Sequence, residues 1–89
     1  MYNTTMKKVI FYTQLGHRFC DEAYRILMEV AWDVPLEIDV VDISHAHNEE
    51  ARAKYADRIP VITSPDGKTE LEWPFTLDEV KLYLINELG

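Results

Sequence analysis

Two strand-like segments separated by a helix-like one fill residues 9–43, and this order constrains the fold more than any other feature of the chain. Val9-Ile10-Phe11-Tyr12-Thr13 is a short apolar run rich in β-branched and aromatic residues, the composition of a buried strand. Phe19, Ala23, Ile26, Leu27 and Val30 then recur at helical spacing, which predicts a helix that buries them on one side. The pattern breaks at Trp32-Asp33-Val34-Pro35, where Trp32 is expected to pack beside the helix it follows. From Leu36 to Ile43 apolar residues alternate with acidic ones, the period of a half-buried strand. Two strands joined by a crossover helix lie parallel, with the helix laid over one face of the sheet.

The second half adds antiparallel pieces. Asn48 is placed to cap a short helix running to about Tyr55, with Glu49 and Glu50 in the first turn, where the helix dipole favours negative charge. Arg58-Ile59-Pro60 ends it. Val61-Ile62-Thr63 and Thr69-Glu70-Leu71-Glu72 flank Pro65-Asp66-Gly67-Lys68, whose proline presets one φ and whose glycine accepts a positive one, so a hairpin is expected. Thr76 and Glu79 form a capping box ahead of a last helix lined by Val80, Leu84 and Leu88. The predicted fold is α/β with the order βαβαββα, a four-stranded mixed sheet with helices on both faces.

With 89 residues and 47% hydrophobic content, the chain suits one domain over 1–89, with an ordered core of about 7–88 and a flexible segment 1–6. A net charge of −7 and the lack of a basic stripe argue against nucleic acid as a partner. No apolar run approaches the roughly 18 residues of a membrane span, and residues 1–8 lack the apolar core of a signal peptide, so no membrane association and a cytoplasmic location are expected. The single cysteine excludes an internal disulfide, which agrees with a reducing compartment.

That cysteine closes the stretch Gly16-His17-Arg18-Phe19-Cys20, at the turn from the first strand into the first helix. A thiolate at a helix start is favoured by free backbone N–H groups, and Arg18 and His17 would add to that. Asp21 and Glu22 oppose it, and a lone cysteine is also among the most buried of residue types, so a reactive thiol and a core residue both stand as roles for Cys20. Tyr12 and Thr13 end the first strand and would border the same site. His17, Cys20, His45 and His47 offer a nitrogen and sulfur set for zinc, but their spacing fits no zinc framework, and no metal is expected. Trp73-Pro74-Phe75 reads as core closure, with an exposed aromatic anchor for a partner as the other role.

The order of elements, Phe11-Tyr12-Thr13 followed by Gly16-His17 and Cys20-Asp21-Glu22-Ala23, Ile59-Pro60-Val61, and Trp73-Pro74-Phe75 before the last helix together resemble the small glutaredoxin-like proteins of the thioredoxin superfamily. The resemblance covers residues 7 to 88. It implies a thioredoxin-like fold, thiol–disulfide chemistry on a protein or peptide partner, a cis Pro60 facing the site, and a groove formed by Tyr12, Thr13, Arg18, Ile59 and Pro60. It also implies an attacking cysteine where this chain has His17, and a resolving one at Cys20. Imidazole cannot form the mixed disulfide through which exchange proceeds, so dithiol activity is expected to be weak or lost, with single-thiol chemistry on Cys20 as the most that remains. A non-catalytic binding or adaptor module is the alternative, and a metal-binding variant a third. The Gly-Gly-x-Asp pattern that holds glutathione in ordinary glutaredoxins does not stand at Leu71-Glu72-Trp73-Pro74, so no cofactor is expected.

Overall fold

A computed structural model describes residues 6–87. Most of the segment 1–6 expected to be flexible, and Leu88, therefore lie outside the described residues. The elements are β1 (Lys7–Thr13), α1 (Arg18–Asp33), β2 (Leu36–Asp42), α2 (Glu49–Tyr55), β3 (Val61–Thr63), β4 (Glu70–Glu72) and α3 (Leu77–Glu87). They form one sheet in the order β2-β1-β3-β4. β1 and β2 are parallel, with Val9 opposite Ile38 and Phe11 opposite Val40; β1–β3 and β3–β4 are antiparallel.

This order divides the core between the two faces. Val9, Phe11 and Ile62 point to the face covered by α1 and α3, where they meet Ala23, Leu27, Val30, Val80 and Leu84. On the other side Tyr12 and Val61 pack with Ala51 and Tyr55 of α2 and with Ile43, Ile59 and Cys20. Each large apolar side chain buried this way contributes about 1.5–3 kcal/mol. The capping box forms in both directions: Thr76 N–H donates to Glu79 Oε1 (2.8 Å) and Glu79 N–H to Thr76 Oγ1 (3.2 Å). In the hairpin Gly67 has φ +75°, and Ser64 Oγ donates to Asp66 Oδ1 (2.7 Å) while accepting from Thr69 N–H (3.2 Å).

Three local expectations are corrected. Phe19 is not on the buried row of α1; it is 40% exposed, and the row is Cys20, Ala23, Leu27 and Val30. The helix enters the core one residue later than the periodicity suggests, and the Phe19 ring turns to Trp73, 6.0 Å between centroids. Trp32 is inside α1 and 87% exposed, because the helix runs on to Asp33 and the buried row at Leu27 and Val30 turns position 32 outward. Asn48 precedes α2 but caps it with no side-chain bond; its Nδ2 donates to the Asp42 carbonyl (2.8 Å), tying the loop to the end of β2.

Candidate functional site

The turn from β1 into α1 places His17 and Cys20 one helical turn apart. The His17 carbonyl accepts from the Cys20 amide (3.1 Å) and the Asp21 amide (3.3 Å), so His17 begins the helix with its backbone and its ring is free of capping. The ring is half-buried, and its Nδ1 is shielded from solvent without a hydrogen-bond partner. Cys20 is 2% exposed and belongs to the core with Ile43, Tyr55, Ile59 and Val61. Its thiol faces apolar side chains rather than solvent.

The residues expected to form one groove are spread over different surroundings. Tyr12 stacks on Tyr55, 4.2 Å between ring centroids, and lines a cleft of ≈ 740 Å³ between the sheet, α2 and the Pro65–Gly67 turn. Thr13 and Cys20 line a second cleft, of ≈ 440 Å³, between α1 and β2, whose walls also include Leu15, Tyr24 and Val40. Ile59 and Pro60 are buried, the Ile59–Pro60 bond is cis, and the Pro60 carbonyl accepts from Trp73 N–H (3.1 Å). Arg18 is exposed, its guanidinium 5.1 Å from the centre of the Phe19 ring. Phe75 is buried, and Trp73 packs on the core against it, 5.1 Å edge to face.

The histidines do not assemble a metal centre. His45 and His47 are exposed and face each other at 5.0 Å, and His47 N–H donates to His45 Nδ1 (3.3 Å). Among the described residues no three His, Cys, Asp or Glu side chains converge to hold an ion. Arg52 holds this loop in place by donating to the carbonyls of Ile43 (2.8 Å) and His45 (3.2 Å).

A polar network lies beside Tyr12, around Tyr55. Tyr55 Oη donates to Glu70 Oε2 (3.2 Å), Arg58 pairs with Glu70, and Arg58 Nε and Nη2 both donate to Glu72 Oε1 (3.0 and 2.9 Å). Its trace in the sequence is Glu70 and Glu72, two apart and so on one face of a strand, with Arg58 as the nearby cation. Arg58 holds the Glu70 carboxyl below its ordinary range. Burial, followed by the bond and charge of Glu70, pushes the Tyr55 phenol up to about 12. Because the fold favours the neutral phenol, the stability Tyr55 contributes is complete below its unfolded pKa of 10.0 and is lost as pH rises from there to about 12. Ultraviolet titration should accordingly show a late-ionising phenol, and Tyr55→Phe should remove that contribution. A late phase that is absent, or that Tyr55→Phe leaves unchanged, would contradict this environment.

No helix among the described residues is long and apolar enough to cross a membrane. No curated protein matches the sequence. The chain is similar to the solution NMR structure of protein Ne2328 from Nitrosomonas europaea, with 26% identity and a TM-score of 0.73 over 93% of this chain and 98% of that one. That likeness, with the sheet order and the helices on both faces, makes the fold thioredoxin-like. The family model of the glutaredoxin-like domain (DUF836) matches residues 8–85. By that match, over nearly all of its length, this chain belongs to the glutaredoxin-like domain family.

Proposed function

We propose that this protein is a glutaredoxin-like binding module that has given up thiol–disulfide exchange. The observation that carries this reading is the pairing of His17, in the position of the attacking thiol, with a Cys20 only 2% exposed. Exchange needs a thiolate that reaches a disulfide sulfur, forms a mixed disulfide and expels the other sulfur as thiolate. Imidazole forms no such bond, and a thiol enclosed by Ile43, Tyr55, Ile59 and Val61 cannot meet a bulky disulfide without local opening. What remains is a framework with clefts beside α1 and α2, suited to holding a partner.

One observation favours a second reading, single-thiol chemistry on Cys20. The α1–β2 cleft has Cys20 on its wall, so a small disulfide entering there would come next to this residue. Attack on glutathione disulfide would leave Cys20 joined to one glutathione and release the other as thiolate. The deciding experiment is reduction of a small fluorescent disulfide by excess glutathione, with and without protein. We expect the protein to leave the rate at its uncatalysed value. A rate raised by the protein and lost in Cys20→Ser would overturn the binding-module reading in favour of the second.

A further inference from the structure

An exposed apolar patch lies beside one edge of the sheet. Tyr24, Met28 and Trp32 stand one turn apart on α1 and are 43%, 41% and 87% exposed. Across the cleft from Tyr24 are Val40, 49% exposed, and Leu15, 89% exposed. Single apolar residues on a surface are ordinary, but Tyr24, Val40 and Leu15 lining one cleft beside the end of β2 form a group that marks an interaction surface.

The strand that carries Val40, β2, has β1 as its sole neighbour in the sheet among the described residues, so its outer backbone groups are a template for another strand. Its two faces differ. Leu36, Ile38 and Val40 share the α1 face with Val9 and Phe11, whereas Glu37 and Asp39 share the opposite face with Lys8 and Ile10. Glu37 is 3.7 Å from Lys8 in an exposed pair, and Asp39 is exposed with no salt-bridge partner among the described residues.

This pattern selects the occupant. A second copy paired along β2 would set the Glu37 and Asp39 rows against each other, and like charges across a strand pair destabilise it. The net charge of −7 adds to that repulsion. We propose that the open edge of β2 takes up an extended segment of a partner protein in which apolar residues alternate with lysine or arginine. The added strand bonds to the outer backbone of β2, lays its apolar side chains over Val40 and against Tyr24 and Leu15, and places its basic ones opposite Glu37 and Asp39. This edge supplies the binding function proposed above with a surface and a partner class, and it rests on that function.

The test is a titration of isotope-labelled protein, followed by NMR, with a capped decapeptide of alternating lysine and valine. The controls are peptides that replace valine by serine or lysine by glutamate. We expect shifts confined to residues 36–42, Leu15 and the outer side of α1, slowed exchange of outward β2 amides, and affinity at least about tenfold above both controls. Asp39→Lys, at an exposed position, should weaken the lysine–valine peptide and turn the preference toward the glutamate–valine one. Val40→Lys should weaken both. Equal affinity for the lysine–serine peptide would mean charge attraction without a docking edge and would overturn the proposal. Shifts centred on the Tyr12 cleft would also overturn it, while leaving the binding-module function in place. Silence toward all three peptides at millimolar concentration would overturn it as well, and a concentration-dependent dimer with broadening along β2 would assign the edge to a second copy instead.

Discussion

Replacing His17 by cysteine is expected to create thiol–disulfide exchange that the proposed binding module lacks. The His17 carbonyl accepts from the Cys20 and Asp21 amides, so a cysteine there would precede Cys20 by one helical turn, and its side chain would inherit a half-buried position with access to solvent. A thiol at a helix start has its pKa drawn toward 7, which makes it about half thiolate at neutral pH against a few per cent for a free thiol. Exchange should therefore exceed that of an equal concentration of glutathione by about tenfold. The Cys20→Ser change in the same background should stop turnover at the mixed disulfide when no second thiol is supplied. A folded His17→Cys protein without exchange would mean that the site has diverged beyond the lost sulfur.

The second large effect is on stability and on the shielding of Cys20 together. Phe11 is 1% exposed at the centre of the sheet, between Val40 and Ile62 in register, and it lines the same cleft as Cys20. Phe11→Ala removes a ring from the closed core, which costs about 3–5 kcal/mol including the cavity left behind. For a domain of this size that is a large fraction of the whole stability. Denaturant unfolding should show the midpoint falling with little change in slope, and the thiol should become more reactive in the still-folded fraction. A loss below about 1 kcal/mol would mean that the neighbours collapse into the space.

Much of this fold is legible from local pattern. The βαβαββα order follows from the alternation at Leu36–Val40, the helical spacing at Ala23–Leu27–Val30 and the turn at Pro65–Gly67, because each of these is a short-range signal with one structural solution. The capping box at Thr76 and Glu79 is legible for the same reason. A large aromatic suggests core, yet Trp32 and Phe19 stand outside it because the helix phase is set by the whole row from Cys20 to Val30. The Tyr55–Glu70–Arg58–Glu72 network joins residues 12–15 apart, and no local pattern ties them.

The site divides along the same line. The motif from Gly16 to Cys20 marks the turn where chemistry would sit, but spacing alone cannot say whether a cysteine in the first turn faces solvent or core. Its phase in the row with Ala23 and Leu27 is what takes it inward. The groove expected from Tyr12, Thr13, Arg18, Ile59 and Pro60 is not a single surface, because Tyr12 is drawn to Tyr55 on the α2 side while Pro60 is buried. The apolar edge at Val40, Tyr24 and Leu15 carries no motif and emerges only when β2 is seen at the margin of the sheet.

The claim that exchange chemistry has been lost rests most directly on the inaccessibility of Cys20. Its alkylation by iodoacetamide, in native and in denatured protein across a range of pH, measures that accessibility. We expect native Cys20 to react at least about a hundredfold more slowly than the denatured thiol at every pH, with modification limited by opening of the fold. A native thiol that reacts as fast as the denatured one, or faster at low pH, would mean an exposed thiolate at the start of α1 and would contradict the loss of redox function.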